Sequence, residues 1–338
     1  MENETETKAK KRNVGHFLLD GVKGITLGIS AAIPGLSAGT IAVAESCYDT
    51  LIDAITSLRK TFKKGFLVLL PYILGLIIGA LAALIGIDKG YQAAPFSLTG
   101  LFAGFVFGSL PITFKELKKG NNAKETTIHI ISFLLCLIVA GGIGVLCALT
   151  KLDLASYLQT RVWWMYLLVF LAGIIAAGAC IVPGISGSMS LMVIGMYYPI
   201  LHTFFSRKDD LSIWKSSEGS YIGTGVVLLL LLVIGAVIGV VLSSKMMKVL
   251  LSKHRVSTFY GILGLILGSL VSMFINADIY PKYQAGIATW DYIVGAVLFC
   301  LAAVAIFFLI KYSDKKKAKQ EEAKKLASSE ETKQKGLN

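Results

Sequence analysis

Long uncharged apolar runs constrain this chain more than any other sequence feature. No charged residue occurs between Leu134 and Leu149 or between Val226 and Leu242. A helix needs roughly 20 apolar residues to cross the hydrocarbon core of a bilayer. Charged residues make up only 16% of the chain, whereas soluble domains carry about 25%. These features predict a polytopic membrane protein rather than a soluble enzyme.

Six segments are predicted to span the membrane completely. Two further apolar stretches, 17–55 and 163–205, are interrupted near their centres by Pro34-Gly35 and Pro183-Gly184. Proline removes a hydrogen-bond donor and glycine loosens the backbone, so a helix is expected to break at each centre. The six predicted spans are 66–87, 96–114, 128–149, 220–244, 257–275 and 291–311.

The sequence contains an internal duplication. The motif Pro-Gly-Leu-Ser at 34–37 recurs as Pro-Gly-Ile-Ser at 183–186. Further along, Gly-Phe-Val-Phe-Gly-Ser-Leu at 104–110 resembles Gly-Leu-Ile-Leu-Gly-Ser-Leu at 264–270. The second offset is slightly longer than the first, which fits an insertion near 206–217. Two matches in the same order indicate two related halves.

The distribution of basic residues predicts how the chain is threaded. Lysine and arginine cluster at 59–64, 115–124, 245–255 and in the tail from Lys311. Such loops are enriched on the cytoplasmic side, and the clusters share that side if each interrupted stretch is a re-entrant hairpin. Each half then has one broken-helix hairpin and three spans, so the second half is inverted relative to the first. An alternative with ten full spans keeps the same loops inside.

The predicted fold is therefore an all-α polytopic membrane protein with an inverted-topology repeat and both termini in the cytoplasm. Its predicted parts are a cytoplasmic segment 1–16, a first repeat 17–150, a second repeat 151–312 and a charged cytoplasmic tail 313–338. Paired broken helices are typical of transporters, in which the substrate binds near the bilayer midplane between the repeats.

The two Pro-Gly motifs predict an anion-binding site. A helix that restarts after a break exposes N–H groups that favour negative charge. Hydroxyl groups add donors, and glycines allow a ligand to approach the backbone closely. Tight helix packing is the alternative explanation for such small residues. The predicted substrate-binding residues are Gly35, Ser37, Gly39, Thr40, Gly184, Ser186, Gly187 and Ser188.

Few ionisable residues lie within the apolar stretches. Glu45 follows the first motif, and a carboxyl group at membrane depth suggests coupling to a proton. An interfacial residue, or one paired with Lys23, is the alternative. Lys23 and Arg161 are hypothesised to steer an anionic headgroup, although basic side chains near helix ends commonly anchor at the interface. The sequence leaves open whether H⁺ or Na⁺ is coupled.

Other functional classes find little support. The net charge of +12 resides in loops and the tail, which suggests membrane topology and anionic lipids rather than nucleic acid. The five cysteines lack CxxC spacing and the four histidines lack ligand spacing. No metal site, disulfide framework or cofactor is therefore predicted.

The motif pair, with Tyr48 and Tyr197 at matching distances, resembles the DUF368 family, which is associated with polyprenyl-phosphate transport. The resemblance extends from about 15 to 311. It implies that the substrate is undecaprenyl phosphate, returned from the outer to the inner leaflet of the bacterial cytoplasmic membrane for cell-wall polymer synthesis. Ala38 and Ser188 stand where that family often has glycine.

Three alternatives belong to other classes. A membrane polyprenyl pyrophosphate phosphatase shares the Pro-Gly-x-Ser motif, but such enzymes carry an arginine and a glutamate pair, whereas Ala38, Gly187 and a single Glu45 stand here. An ion-coupled carrier of a small soluble anion would share the architecture. A purely structural protein is disfavoured because broken helices within a membrane are costly to maintain.

Overall fold

The computed structural model describes residues 14–57, 61–118, 126–150, 163–182, 185–205, 220–275 and 279–335. All regular secondary structure in these ranges is α-helical. In chain order the helices are α1 Val14–Ala32, α2 Ala38–Ala44, α3 Tyr48–Ser57, α4 Phe62–Ala93, α5 Pro95–Lys118, α6 Thr126–Leu149, α7 Trp163–Ala179, α8 Gly187–Val193, α9 Tyr197–Phe205, α10 Ser220–Lys253, α11 Arg255–Phe274, α12 Tyr280–Ala285 and α13 Thr289–Lys335.

Within the described ranges, six helices are long and apolar enough to cross a membrane, and they coincide with the six predicted spans. They lie in α4, α5, α6, α10, α11 and α13. Four of them bury little of their apolar surface within the protein, between 17% and 28%, whereas α5 and α11 bury 56% and 61%. The chain is a multi-pass membrane protein in which α5 and α11 are the most enclosed spans.

Both interrupted stretches divide into three helices. In the first, α1 ends at Ala32 and α2 begins at Ala38; in the second, α7 ends at Ala179 and α8 begins at Gly187. The offset that takes Pro34 to Pro183 also takes the starts of α1, α2 and α3 to those of α7, α8 and α9. Similarly, the offset between the two later motifs takes the start of α5 to that of α11.

The described residues form two compact units. The first contains the described parts of Met1–Ala32, Ala38–Ala83 and Lys311–Asn338, and the second contains those of Ile33–Ser37 and Leu84–Ile310. In the first unit, a small buried cluster is built around Leu27, Cys47 and Tyr72. In the second, a larger core is centred on α5 and α11 and includes Phe102, Val106, Ile266 and Met273.

Glycines allow helices to pack closely in both units. In the first unit α1 packs against α4, where a methyl group at Gly24 would meet the backbone oxygen of Tyr72 at 2.5 Å. In the second unit α7 packs against α10, where a methyl group at Gly173 would meet the backbone of Leu232. The offsets between the repeated motifs relate Gly24 to Gly173 and Tyr72 to Leu232. Each unit therefore contains the same helix contact at corresponding positions.

Within the second unit, α5 and α11 each pack against a helix of the other half. On α5, Gly104 and Gly108 face the backbone of Phe299 and Ala303 on α13. On α11, the corresponding Gly264 and Gly268 face the backbone of Phe133 and Leu137 on α6. No side chain separates the backbones at these four glycines. The two helices of each pair, α5 with α13 and α11 with α6, therefore pack closely.

Candidate functional site

The first break is shaped by Gly35. This residue has a φ of +84°, a conformation that glycine adopts readily and residues with a Cβ adopt rarely. A methyl group at Gly35 would lie 2.6 Å from Val106 Cγ2 and 2.8 Å from Val106 N. The loop therefore lies directly on α5, and both its conformation and its packing require glycine.

The second break leads into α8. Pro183 and Gly184 lie outside the described residues, and Ser186 is the N-cap residue of α8 in extended conformation. Its side chain makes no capping hydrogen bond. Instead, Ser186 Oγ lies 2.9 Å from Ser188 Oγ. In this pair one hydroxyl donates to the other, so one hydroxyl proton remains available to an external acceptor.

Gly187 lies close to α7. A methyl group at Gly187 would meet Ala176 O at 2.5 Å and Cys180 Sγ at 2.9 Å. Glycine at this position therefore allows the first turn of α8 to pack against the end of α7. The first N–H groups of a helix have no intrahelical acceptor, so the turn presents donors beside the Ser186 and Ser188 hydroxyls.

The two breaks border the same hydrophobic core. Ile33, from the first break, packs against the cluster that contains Phe102 and Val106. Val182 and Ile185, from the second break, pack against that same cluster. Both breaks thus belong to the second compact unit, in which Ser37 is exposed and Ser186 and Ser188 are half-buried.

The predicted residues do not all fall in that unit. Gly39 and Thr40 lie in α2 and belong to the first compact unit. Gly39 is exposed and Thr40 is half-buried. Gly184 and Arg161, which were predicted to hold or steer the anion, lie outside the described residues.

The turns that end the two short helices are alike. Ser46 N donates to Val43 O at 3.1 Å, and Gly195 N donates to Met192 O at 3.1 Å. Both residues have a positive φ, 58° for Ser46 and 69° for Gly195. The offset between the Pro-Gly motifs also takes Ser46 to Gly195. The correspondence between the interrupted stretches therefore includes the backbone conformation of these turns.

A polar cluster surrounds the end of α2 in the first unit. Glu45 Oε1 lies 2.6 Å from Thr26 Oγ1 on α1, and Lys316 Nζ on α13 donates to Ala44 O. Also on α1, Asp20 Oδ1 accepts a hydrogen bond of 2.5 Å from the Tyr72 hydroxyl. Hydropathy singled out Glu45 but not Thr26, because a threonine in an apolar helix carries no charge signal.

A second polar cluster lies at the start of α5 and was not predicted. The side chain of Asp291, which is buried, accepts from Ser97 N at 2.8 Å and from Phe96 N at 3.1 Å. Nearby, Lys282 Nζ donates to Tyr91 O at 2.9 Å and lies 3.6 Å from the Tyr91 ring centroid. The sequence pattern predicted no polar contact at these residues.

No cluster of three or more histidine, cysteine, aspartate or glutamate side chains suited to a metal ion occurs within the described ranges. All five cysteines are free thiols.

Comparisons with known proteins match the chain over most of its length. A family model described as undecaprenyl phosphate translocase-like matches residues 27–290. A Staphylococcus aureus protein named polyprenyl-phosphate transporter is 28% identical over 292 residues, covering 84% of this chain and 92% of the relative. A Vibrio cholerae protein of the same name is 26% identical over 333 residues, covering 89% and 98%. No solved structure gives a significant match.

The matched region includes both Pro-Gly motifs, both sets of short helices and the enclosed spans α5 and α11. The resemblance first inferred from the motif pair is thus confirmed by a match that does not depend on those motifs alone. The chain belongs to the undecaprenyl phosphate translocase-like family.

Proposed function

We propose that this protein transports polyprenyl phosphate between the leaflets of the bacterial cytoplasmic membrane and returns the lipid carrier from the outer to the inner leaflet for cell-wall polymer synthesis. The observation that carries the proposal is the family match over 27–290. The S. aureus and V. cholerae relatives named polyprenyl-phosphate transporter support it, because each aligns along nearly its whole length.

The proposed topology places both termini in the cytoplasm. Each interrupted stretch enters and leaves the membrane on one side, and the second half is inverted relative to the first. Support comes from the basic loops, which then all lie inside, and from the helix starts that correspond between the two interrupted stretches. Inverted halves offer two related routes to one binding site, as alternating access requires.

The phosphate is proposed to be held by the half-helix N-termini that follow the two Pro-Gly motifs. Donors there are the unpaired first-turn N–H groups and the hydroxyls of Ser37, Thr40, Ser186 and Ser188. The second stretch has no charged residue between Arg161 and Arg207. Dipolar groups therefore hold the anion without a fixed positive charge, which favours release on the far side of the membrane.

The polyprenyl tail is proposed to remain in the bilayer while the headgroup crosses. Large apolar side chains face outward along the spans, such as Leu230 on α10 at 55% exposure and Leu135 on α6 at 60%. Such surfaces match hydrocarbon, so the tail needs no enclosed cavity. Only the phosphate requires a polar path, and the two breaks supply backbone donors for it.

A transport role without phosphoryl chemistry is proposed for the same site. Stabilising the charge that develops in phosphoryl transfer requires positive groups or metal ions near the phosphate. The motif positions that carry arginine in polyprenyl pyrophosphate phosphatases are Ala38 and Gly187 in this chain. Relatives named as transporters support the same conclusion.

The test is transfer of undecaprenyl phosphate between leaflets of liposomes that contain the purified protein. We expect wild type to accelerate transfer and the Ser37→Ala/Ser186→Ala variant to lose about tenfold or more, because a hydrogen bond to a charged group contributes about 1.5–3 kcal/mol. Ser252→Ala is the matched control, since the Ser252 hydroxyl is exposed and bonds only its own helix, to Val249 O at 2.9 Å.

Three results would contradict the proposal. Release of inorganic phosphate from undecaprenyl pyrophosphate would identify an enzyme. Uptake of a small soluble anion without lipid transfer would identify a different carrier. Equal loss in the Ser252→Ala control would show that the serine variants act on folding rather than on the phosphate.

A further inference from the structure

Three side chains of the second compact unit form a stack that joins three helices. Tyr91, near the end of α4, and Tyr198, in α9, have ring centroids 3.5 Å apart and ring planes inclined by 19°. Lys282 Nζ, in α12, lies 3.6 Å from the Tyr91 ring centroid and donates to Tyr91 O at 2.9 Å. An ammonium group within about 6 Å of a ring centroid is attracted to the ring face. The stack therefore ties α9 to the end of α4 and to α12.

The stack belongs to the contact that covers α8 and α9. Tyr91 and Tyr198 are buried in the same core cluster as Met189 and Met192 of α8. Only the short turn at Gly195 separates α8 from α9, so a movement of α9 also moves α8. Methionine side chains are unbranched and adapt to changed neighbours. The lower layer of this contact can therefore repack when α9 moves.

The two interrupted stretches differ in burial at corresponding positions of α3 and α9. On α9, Tyr197 and Leu201 are 5% and 2% exposed. On α3, the corresponding Tyr48 and Ile52 are both 45% exposed. The same duplicated element is thus covered in the second stretch and uncovered in the first. Transporters with inverted repeats open and close by gating movements of such repeats.

We propose that Tyr91, Tyr198 and Lys282 form an outer gate, which is closed in this structure and opens when α9 leaves Tyr91. The inference rests on the proposed function and on its topology, which places the end of α4 outside. A lipid phosphate from the outer leaflet reaches the second break only when the gate is open. In the open state α9 is uncovered, as α3 is here. Lys282 acts through Tyr91 and is a positioning residue.

The chemistry of the stack suits a contact that opens repeatedly. Stacked rings attract each other without hydrogen bonds or ion pairs, so their separation leaves no buried charge without its partner. The nearby Asp291 carboxylate is different, because it accepts from the backbone N–H groups of Phe96 and Ser97. Breaking that contact would leave buried polar groups unsatisfied. Movement between Tyr91 and Tyr198 is therefore the less costly change at this end of the unit.

The first experiment locks the gate with a covalent bond. Tyr91→Cys/Tyr198→Cys is introduced into protein whose five native cysteines are replaced by alanine. Transfer of undecaprenyl phosphate between liposome leaflets is measured before oxidation, after oxidation to the disulfide and after reduction. We expect the reduced form to transfer lipid, the disulfide-linked form to lose transfer and reduction to restore it, because α9 is then free to leave α4.

Gly261→Cys, with native Cys136 retained, is the matched control. A Cβ at Gly261 would lie 3.2 Å from Cys136 Sγ, a distance that suits a disulfide between α11 and α6. These two helices stay packed in both states of the proposed gate. Oxidation of this variant should therefore leave the rate of transfer unchanged.

A second measurement leaves the Tyr91–Tyr198 contact intact. Leu201→Cys, in the background without native cysteines, is labelled by a water-soluble maleimide, which reaches the buried position only when α9 is uncovered. Adding Lys282→Met should raise the labelling rate about two- to thirtyfold, because the attraction between the ammonium group and the ring is lost. Lys282→Arg should keep labelling slow, since a guanidinium group also binds a ring face. Lys89→Met, which removes an exposed lysine of α4, should change nothing.

The outcomes separate the gate from the proposed function. Absence of lipid transfer by wild type would defeat the proposed function. If wild type transfers lipid and the disulfide-linked double variant transfers as fast as its reduced form, the stack is a static contact and the gate is wrong. An equal loss in the oxidised Gly261→Cys control would also overturn it. Where the reduced double variant is inactive, labelling decides: equal rates with lysine and methionine at position 282 would contradict the gate.

Discussion

Asp291 and Ser97 are hydrogen-bonded to each other across 194 residues of sequence. Asp291 accepts from two backbone N–H groups in the first turn of α5, and the Ser97 hydroxyl donates to the same carboxylate. At the corresponding position of α11, Ser257 Oγ lies 2.9 Å from Nδ1 of the buried His129. Each enclosed span therefore begins at a serine bonded to a titratable side chain from the helix that packs against it.

Replacing Asp291 by alanine should destabilise the protein strongly. The substitution leaves two N–H groups in the first turn of α5 without their acceptor and removes the partner of the Ser97 hydroxyl. Loss of a helix N-cap costs about 0.5–2 kcal/mol, and hydrogen bonds to charged groups contribute about 1.5–3 kcal/mol each. We expect a loss of at least about 2 kcal/mol in the free energy of unfolding, measured by denaturation in detergent.

Asp88→Ala serves as the control for that substitution, because the half-buried Asp88 accepts only a solvent-exposed hydrogen bond from Gln92 of its own helix. It should change stability by less than about 0.5 kcal/mol, as expected for a surface site. Equal effects of the two substitutions would mean that Asp291 contributes no more than an ordinary surface carboxylate.

Glycine-to-alanine substitutions should have opposite effects at two helical positions. A methyl group at Gly100 would lie 2.5 Å from Gly295 O, whereas one at Gly86 would have nothing within 4 Å. Alanine favours helix by up to about 1 kcal/mol, so Gly86→Ala should be neutral or stabilising. Gly100→Ala should instead destabilise by about 1–3 kcal/mol through overpacking. Thermal unfolding of both variants measures the difference, and a stabilising Gly100→Ala would disprove the close contact between α5 and α13.

Much of this architecture was predictable from the sequence. Long apolar runs have a local signature, so the six spans were located correctly, although α4 extends beyond the predicted 66–87 to Phe62–Ala93. Proline and glycine also act locally, and the break after Ala32 falls where Pro34 predicted it. Offsets between repeated motifs were equally visible, since a duplication leaves both copies in the chain.

What depends on distant partners was not predictable. Asp291 was predicted only as the first residue of the span 291–311, because nothing in the surrounding residues indicates that its carboxylate bonds the backbone of Ser97. Thr26 was overlooked because its importance arises only when α1 places its hydroxyl beside Glu45. Tertiary contacts of single polar side chains leave no periodic pattern in the sequence. A mean hydropathy taken over a window of residues also conceals one polar side chain among many apolar ones. The proposed phosphate site remains a prediction for the same reason.

Two matched turns provide a test of backbone strain. Ser46 has a φ of 58°, and Gly195, at the corresponding position, has a φ of 69°. A left-handed conformation costs a residue with a Cβ roughly 1–2 kcal/mol. Ser46→Gly should therefore raise stability by up to about 1 kcal/mol, and Gly195→Ser should lower it by a similar amount. If Ser46→Gly lowers the unfolding temperature, the serine side chain stabilises this turn by more than its backbone strain costs.

Tyr283 should make stability fall at alkaline pH. It lies in the short helix α12, outside the candidate spans, and its buried hydroxyl has no hydrogen-bond partner among the described residues. Burial, followed by the neighbouring Tyr292 and Asp291, raises the pKa of Tyr283 well above its usual value. Above about pH 10, the ordinary pKa of tyrosine, the unfolded chain releases this proton while the folded protein keeps it. Stability then decreases as pH rises.

Tyr283→Phe should leave stability at pH 7 unchanged or higher by up to about 1 kcal/mol, because an unsatisfied buried hydroxyl is removed. It should also reduce the loss between about pH 10 and pH 11, measured by denaturation at each pH. An identical alkaline loss in the variant would show that other groups cause it.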